Sequence, residues 1–440
     1  MPASAEDLFN YHARPGAFQR LLPPWERISL PSPVSPLQNH SQVTFDLRKG
    51  PLRIRWVAQN ENVSPGHGFE DIQLRGPFKT WIHRHRFIGQ GPEKSQLKDQ
   101  IQVALPGAFL GNLMGQPMVS KQMKRLFWFR HFRTYHDLSR HAQSKTPRSV
   151  LLVGDYSDWC TPFASFMTTG GHRVFRLDRE ANGRIVMRPF LGGAPCHPLE
   201  QCDAIVMTER PSSDFALGES TIEKLDFLIR ALKTLGRPPQ KLIRIMSKES
   251  ARKNWQDDPQ IPPTKKQKPT EEPSPFETRL IQLQEILPLE TRVYPGAMIH
   301  PNRNALTRLL LQLETFLFLR DQAQTPQFRW ISREDFLGGL LFLIDHEEIT
   351  GDLTLAHPAI ATRAELQRLF IHHFYWHYAL GRVFQVVGWA TPGQNPSLNE
   401  YLRDFPDLQR WGFQCIAKDL KHAFKMEFGI PHSQPNHQMI

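Results

Sequence analysis

Apolar and polar positions alternate along much of the first third of the chain, and this pattern predicts β-strands because successive side chains of a strand point to opposite faces. Residues 80–87 show the alternation clearly. One predicted face carries two aromatic side chains and two imidazoles: Trp81, His83, His85 and Phe87. The arginines between them occupy the other face. Since charged side chains favour water, we predict that the face with the histidines points inward.

Residues 97–105 repeat the alternation and place Asp99 on a face that is otherwise apolar. An acid in such a position needs a partner, because burying an unpaired charge is costly. We therefore expect His83 or His85, on the neighbouring strand, to pair with Asp99.

Three interpretations of this face stay open: a polar pocket for a ligand, interior histidines with satisfied hydrogen bonds, and a metal site. A metal needs a third and usually a fourth ligand, which the sequence does not designate, so no metal is assigned. A second pair, His373 and His377, has the i, i+4 spacing of helical metal ligands, but its aromatic surroundings favour a packed helix.

A long helix with an apolar and a basic side is predicted over residues 117–141. The apolar run Val150–Val153 then predicts a buried parallel strand. A helix that ends at Gly170 and a second strand at Val174–Asp178 complete a β-α-β unit.

The turn after the first of these strands resembles a phosphate-binding turn that has lost its glycines. A dinucleotide site needs small residues there, so that backbone N–H groups can reach the pyrophosphate. Only Gly154 remains, and Asp155, Asp158 and Trp159 follow it. Because carboxylates repel phosphate, the sequence predicts an impaired nucleotide site.

Strand–helix alternation continues to about residue 250, and helical patterning returns in residues 276–430. Between them, residues 257–275 are rich in proline and lysine and have no hydrophobic pattern, which predicts an exposed linker or loop. We therefore predict two domains, residues 1–146 and residues 147–430.

Composition narrows the classes of protein. The 440 residues include 54 lysines and arginines against 43 acids, a formal net charge of +11. No compact basic stripe accompanies this excess, so nucleic acid is not the expected partner. The four cysteines form no CxxC pair, which argues against a zinc ribbon or a disulfide framework. Without a recognisable signal peptide or a long uncharged apolar run, we expect no transmembrane span and a cytoplasmic location.

Four segments of the N-terminal third resemble the START-like (SRPBCC, helix-grip) superfamily: residues 14–26, 75–78, 81–87 and 127–138. The resemblance implies an α+β fold in which a curved antiparallel sheet wraps around a long helix. It also implies a cavity between sheet and helix that binds an apolar or amphipathic small molecule. The candidate ligand-binding residues are then Trp81, His83, His85, Phe87 and Asp99.

Most of residues 149–430 resembles the extended short-chain dehydrogenases, in the branch of the NAD-dependent epimerase-like proteins. The matching segments are residues 166–174, 203–207, 241–247, 292–296 and 330–335. This resemblance implies an α/β Rossmann-like, doubly wound domain followed by a mostly helical C-terminal part.

The departures from that family bear on catalysis. Ser157 and Cys160 stand where the family has glycines, and Asp178 falls where an acid would bind the ribose. Ser247 falls at the family's active-site serine, but the tyrosine that would act as general acid and base does not follow it. We therefore assign no catalytic residue, expect no bound cofactor, and regard five residues as remnants of a nucleotide site: Gly154, Ser157, Cys160, Asp178 and Ser247.

Three functions remain open. The first is a non-catalytic two-domain protein, in which the N-terminal module binds a small molecule and the Rossmann-like domain is a scaffold. The second is an NAD(P)-dependent epimerase or reductase with divergent motifs, and the third is a basic protein that meets an anionic partner. The missing glycines and tyrosine favour the first over the second.

Overall fold

The structure is a computed structural model, and the residues that it describes are 1–49, 51–106, 108–154, 159–192, 199–208, 215–246, 275–299, 327–362, 365, 368–369, 386–387 and 405–430. The chain divides into two units. The first comprises Met1–Pro147, Pro162–His172 and Phe428–Ile440, and the second comprises Arg148–Thr161 and Arg173–Glu427.

An antiparallel sheet of six strands dominates the first unit, and its strands lie side by side in chain order. They are β1 (Arg27–Ser29), β2 (Gln42–Lys49), β3 (Leu52–Ser64), β4 (Gly68–Arg75), β5 (Thr80–Gly91) and β6 (Lys94–Ala104). Two shifts of register interrupt the pairing of β3 with β4. Such bulges bend a strand and increase its twist.

Three helices accompany this sheet: α1 (Ala5–Ala13), α2 (Ala17–Arg20) and α3 (Ala108–His141). Helix α1 begins after Ser4, whose hydroxyl accepts a hydrogen bond from the backbone N–H of Asp7. Helix α3 begins at Ala108, so the predicted start at residue 117 was wrong. Pro117 lies inside the helix, although an interior proline removes one backbone hydrogen bond.

A buried ion pair joins the helices of the first unit. The carboxylate of Asp137, on α3, accepts hydrogen bonds from Nε and Nη2 of Arg20 at 2.7 and 2.6 Å. It also accepts one from the hydroxyl of Tyr11 at 2.8 Å. Around this pair, Leu8, Phe9 and Tyr11 of α1 pack with apolar side chains of the sheet and of α3.

The second unit is built on a seven-stranded sheet in the order β16-β12-β11-β10-β7-β8-β9. The strands are β7 (Ser149–Gly154), β8 (Arg173–Arg179), β9 (Ile185–Pro189), β10 (Ala204–Thr208), β11 (Lys241–Ile245), β12 (Leu289–Pro295) and β16 (Gly351–Leu355). All neighbours are parallel except β8 and β9. The predicted parallel strands after residue 149 are therefore observed, and the hairpin β8–β9 replaces a crossover at one edge.

Further helices and short strands complete the described residues of the two units. The helices are α4 (Cys160–Thr169), α5 (Phe215–Thr234), α6 (Pro275–Ile286), α7 (Arg333–Asp345) and α8 (Leu420–Phe428). The short strands are β13 (Ala297–Ile299), β14 (Gln327–Phe328), β15 (Trp330–Ser332), β17 (Ala361–Thr362) and β18 (Val386–Val387). Within the described residues, no helix is both long and apolar enough to cross a membrane.

Several predicted features lie wholly or partly outside the described residues. Pro275 opens α6, and the rest of the predicted linker 257–275 lies outside the described residues. The same holds for the pair His373 and His377 and for much of the predicted helical C-terminal part. The described residues of that part were predicted to be mostly helical, which was wrong, because they include seven strands, β12 to β18, besides three α-helices.

Candidate functional site

Two aspartates and two histidines meet on one face of the first unit's sheet. The register places Asp71 of β4 opposite His83 of β5, and His85 of β5 opposite Asp99 of β6. Residues two apart on a strand share a face, so the four side chains converge across three adjacent strands.

Each carboxylate contacts both imidazoles. Oδ2 of Asp71 lies 2.9 Å from Nδ1 of His83 and 3.3 Å from Nε2 of His85. Oδ1 of Asp99 lies 3.2 Å from Nε2 of His83 and 2.8 Å from Nδ1 of His85. His131 of α3 joins them, with its Nε2 2.6 Å from Oδ2 of Asp99. We call these five residues the His–Asp cluster.

Opposite charges in the cluster stabilise one another. Burial by itself would lower the pKa of His83, whose side chain is only 1 % exposed, but Asp71 and Asp99 outweigh burial and raise that pKa to about 9. Burial opposes ionisation of the two carboxyls as well, yet the neighbouring imidazoles hold their pKa values below the ordinary range. His83 is therefore positively charged at neutral pH, and the guanidinium of Arg130 also lies near both carboxylates.

Aromatic rings surround the cluster. The ring of Phe69 stacks on His85 at 4.2 Å between centroids, and Phe127 of α3 meets His83 edge-on at 5.1 Å. His12 of α1 lies 5.9 Å from His85. Burial, and then His85, lower the pKa of His12 to about 3, so this ring is neutral. Because the surroundings of the cluster are largely apolar, its hydrogen bonds are stronger than they would be in water.

A row of aromatic side chains continues from the cluster along the same face. Phe45 stacks on Trp56 at 5.5 Å, and Trp81 contacts both Trp56 and Phe78 at 5.3 Å. We call these four residues the aromatic surface. Trp81 is buried, whereas the other three are partly exposed. Trp81 also donates its indole N–H to Oδ1 of Asp71 at 3.2 Å, so the aromatic surface and the His–Asp cluster are continuous.

The structure brings together four of the five residues predicted to bind a ligand. Asp99 contacts both His83 and His85, which confirms the predicted pairing, and Trp81 lies beside them. Phe87 lies in the apolar core, with its ring 5.9 Å from that of Phe9.

Asp71 and His131 were missed by the sequence reasoning. Asp71 alternates with Phe69 on β4, which is the same signal that identified Asp99, and His131 follows Phe127 by one helical turn. Neither pattern names a partner, because partners on distant segments are decided by strand register and by the position of α3.

In the second unit, Gly154 ends β7 with φ = 107°. A Cβ at this position would lie 2.6 Å from the carbonyl oxygen of Thr208 on β10. The close approach of two paired strands is therefore sufficient to require glycine here, without a nucleotide.

The structure describes two of the other four residues that were predicted to be remnants of a nucleotide site. Cys160 is buried at the start of α4, and the carboxylate of Asp178 is 3.0 Å from Nε of Arg176. Ser157 and Ser247 lie outside the described residues. Tyr294, a tyrosine later in the chain, donates its hydroxyl to Asp352 at 2.9 Å.

Comparisons with known proteins support both resemblances. Residues 1–127 match the family model described as polyketide cyclase / dehydrase and lipid transport. The nucleoside-diphosphate sugar epimerase from Corynebacterium glutamicum is similar in structure, with 17% identity and a TM-score of 0.61 over 98% of this chain and 89% of that chain. The sequence has no significant match among curated proteins.

Two further solved structures overlap with smaller parts of the chain. A human epimerase family protein, solved with NADPH, has 18% identity and a TM-score of 0.36 and covers 64% of this chain and 100% of that chain. The Bordetella bronchiseptica enzyme WbmG, in complex with NAD, has 14% identity and a TM-score of 0.38 and covers 64% and 93%. The N-terminal part of the chain thus matches a START-like (SRPBCC) family model, and the chain as a whole shares the fold of a nucleoside-diphosphate sugar epimerase.

Proposed function

We propose that the first unit is a helix-grip module that binds an apolar or amphipathic small molecule against the aromatic surface, with a polar group of the ligand at the His–Asp cluster. The observation that carries this proposal is the continuity of the two features. Partly exposed aromatic rings run directly into a buried group of hydrogen-bonding side chains.

The exposure of the rings favours an apolar partner. Burying apolar surface is worth about 25 cal/mol per Å², and an aromatic side chain buries a large area. Phe45, Trp56 and Phe78 remain partly exposed on the face opposite the water-facing arginines of β5. Ligand sites commonly combine such rings with a few convergent polar groups, and the description of the matching family includes lipid transport.

The hydrogen-bonding groups of the cluster favour a polar group on the ligand. Imidazole nitrogens and carboxylate oxygens of three adjacent strands converge there. A hydroxyl or a carbonyl group, which exchanges hydrogen bonds with imidazole and carboxylate, fits this environment.

A titration with the neutral fluorescent probe N-phenyl-1-naphthylamine tests the proposal. We expect saturable binding by the full chain and about tenfold weaker binding by Trp56→Ala, which corresponds to the 1–2 kcal/mol of a partly buried ring. Trp411→Ala is the matched control, because Trp411 is 38% exposed in the second unit. Circular dichroism checks that both variants are folded. Binding that is absent, or that Trp56→Ala leaves unchanged, would refute the proposal.

We further infer that the second unit serves as a scaffold without hydride chemistry. Three observations support this: Gly154 is required by strand packing, Cys160 is buried, and Asp178 is ion-paired. The alternatives are an NAD(P)-dependent epimerase or reductase with divergent motifs and a basic protein that binds an anionic partner.

Thermal denaturation with NAD, NADH, NADP and NADPH separates the scaffold from the reductase. A nucleotide at one hundred times its dissociation constant would stabilise the folded chain by about 2.7 kcal/mol. We expect no change with any of the four. A dose-dependent rise with one of them would favour the reductase.

A further inference from the structure

We propose that Asp71, His83 and His85 form a binding site for a divalent transition-metal ion of the Zn²⁺ type. One potential ligand atom from each side chain lies within 4.8 Å of the other two. Oδ2 of Asp71 is 2.9 Å from Nδ1 of His83 and 3.3 Å from Nε2 of His85. Atoms that bind a tetrahedral Zn²⁺ at about 2.0–2.1 Å lie roughly 3.3 Å from one another. The two distances from Asp71 are therefore close to those between the corners of such a site, and the third side of the triangle is within 4.8 Å.

The atoms behind these ligands have the arrangement of a metal site's outer shell. A histidine that binds a metal usually donates its other ring N–H to a carboxylate or carbonyl, which fixes its tautomer. Nε2 of His83 and Nδ1 of His85, the nitrogens away from Asp71, both lie near Oδ1 of Asp99, at 3.2 and 2.8 Å. The same carboxylate oxygen thus lies within hydrogen-bond distance of both histidines.

The two carboxylates are themselves held in place. The other oxygen of Asp71, Oδ1, accepts a hydrogen bond from the indole N–H of Trp81. The second oxygen of Asp99, Oδ2, is 2.6 Å from Nε2 of His131 on α3. Oδ2 of Asp71 is therefore directed at the histidines, and Asp99 stays on the outer side of the site.

His85 provides an independent indication. Its Nδ1 is buried and, despite the 2.8 Å distance to Asp99, has no partner with hydrogen-bond geometry. Leaving a buried nitrogen without a hydrogen bond is costly. Ligation of a metal by Nε2 of His85 would place the proton of that ring on Nδ1, and a small rotation of the ring would direct that proton at Asp99. Ligation by Nδ1 of His83 would release the proton of that nitrogen to solvent, because a ligand nitrogen must be deprotonated.

The donor set selects the class of ion. Imidazole suits Zn²⁺, Cu²⁺, Fe²⁺ and Ni²⁺, whereas Mg²⁺ and Ca²⁺ prefer oxygen ligands. Three protein ligands leave at least one coordination position for water or another polar group. Within the part of the chain that the structure describes, no other three side chains of histidine, cysteine or acidic residues bring potential ligand atoms within 4.8 Å of one another.

Metal binding goes beyond the proposed function, because it needs no organic ligand and is measured without one. The full chain is treated with EDTA, dialysed and titrated with Zn²⁺ by calorimetry. Co²⁺ then replaces Zn²⁺, and its visible absorption reports the coordination number. We expect one ion per chain, four-coordinate Co²⁺, a higher midpoint of thermal denaturation with Zn²⁺, and no binding of Mg²⁺.

Variants identify the ligands. We expect Asp99→Asn, which changes an outer-shell residue, to lower the affinity for Zn²⁺ by about 10–100-fold. Asp71→Asn and His83→Gln, which remove ligands, should lower that affinity further. His40→Gln is the matched control, because the side chain of His40 is 77% exposed on the same unit. A double change at His373 and His377 controls for the other pair with metal-compatible spacing.

Two results would overturn the proposal. One is a folded wild-type chain that does not bind Zn²⁺ saturably, which would leave the cluster as a proton-bridged network. The other is Zn²⁺ binding that survives in the Asp71 and His83 variants. If a variant fails to fold, as judged by circular dichroism, the wild-type titration and the Co²⁺ spectrum still decide the question.

Discussion

Replacing Asp137 with alanine is predicted to destabilise the first unit by about 3–5 kcal/mol, the cost of removing one partner of a buried ion pair. The side chains of Arg20 and Asp137 are 2% and 4% exposed. The carboxylate accepts two hydrogen bonds from Arg20 and one from Tyr11. The variant leaves a buried guanidinium without its carboxylate and a buried hydroxyl without its acceptor.

The cost arises from the buried partners that remain, so removing them should recover most of it. We expect the triple variant Tyr11→Phe, Arg20→Met, Asp137→Leu to lie much closer to the wild type than Asp137→Ala does. Apolar replacement of a whole buried pair is often neutral or stabilising. Met at position 20 would also keep an apolar contact with Phe166, over whose ring the guanidinium lies at 5.3 Å.

Urea denaturation followed by circular dichroism and fluorescence measures both effects. With a slope of about 1–3 kcal/mol per molar urea, a loss of 3 kcal/mol moves the midpoint by about 1 M or more. Glu6→Ala, an exposed acid on α1, is the control and should stay within about 0.5 kcal/mol. A midpoint that hardly moves in Asp137→Ala, or a triple variant as unstable as the single one, would refute the reasoning.

Two further predictions concern the second unit. Gly154→Ala should destabilise it by more than the roughly 1–2 kcal/mol that a positive φ alone costs, because the new Cβ would meet Thr208. Gly351, with φ = 84° and open space around it, provides the control, because Gly351→Ala has only the backbone cost. Equal losses of unfolding free energy in the two variants would contradict the prediction. Lys241, whose Nζ donates to the carbonyls of Leu343 and His346, has a pKa lowered by burial to about 8, against an ordinary value of 10.5. As the pH rises, the folded state loses the Lys241 proton at a lower pH than the unfolded state does. The free energy of unfolding should therefore rise between pH 8 and 10.5, by at most about 3 kcal/mol. If the wild type and Lys241→Met showed the same dependence of this free energy on pH, the prediction would be wrong.

Local patterns correctly predicted the inward face of β5 and the β-α-β unit that begins at Ser149. The alternation at Trp81, His83 and His85 identified the inward face, because the pleat of a strand follows directly from backbone geometry. The apolar run Val150–Val153 identified a buried strand for a different local reason, because a strand that is covered on both faces carries apolar side chains throughout. Asp99 was predicted to need a partner, because burying an unpaired charge is costly. The register of β5 with β6 places His85 opposite Asp99, and His83 lies on the same face two residues away.

Long-range features were not predictable in this way. The sequence could not say that Asp71 pairs with the same two histidines, because the pairing of β4 with β5 is set by a register between segments. Helix α3 begins before Pro117, whereas a proline is more typical of the first turn of a helix than of its interior, so the local signal placed the start too late.

The sequence by itself determined which side chains share a face, that an acid on that face requires a partner, and that the turn after Gly154 lacks the usual glycines. Only the tertiary structure decided that Asp71, His83, His85, Asp99 and His131 converge in one cluster. The reason is physical: the side-chain direction is a property of a few consecutive residues, whereas proximity depends on strand register and helix packing, which are settled by the whole folded unit.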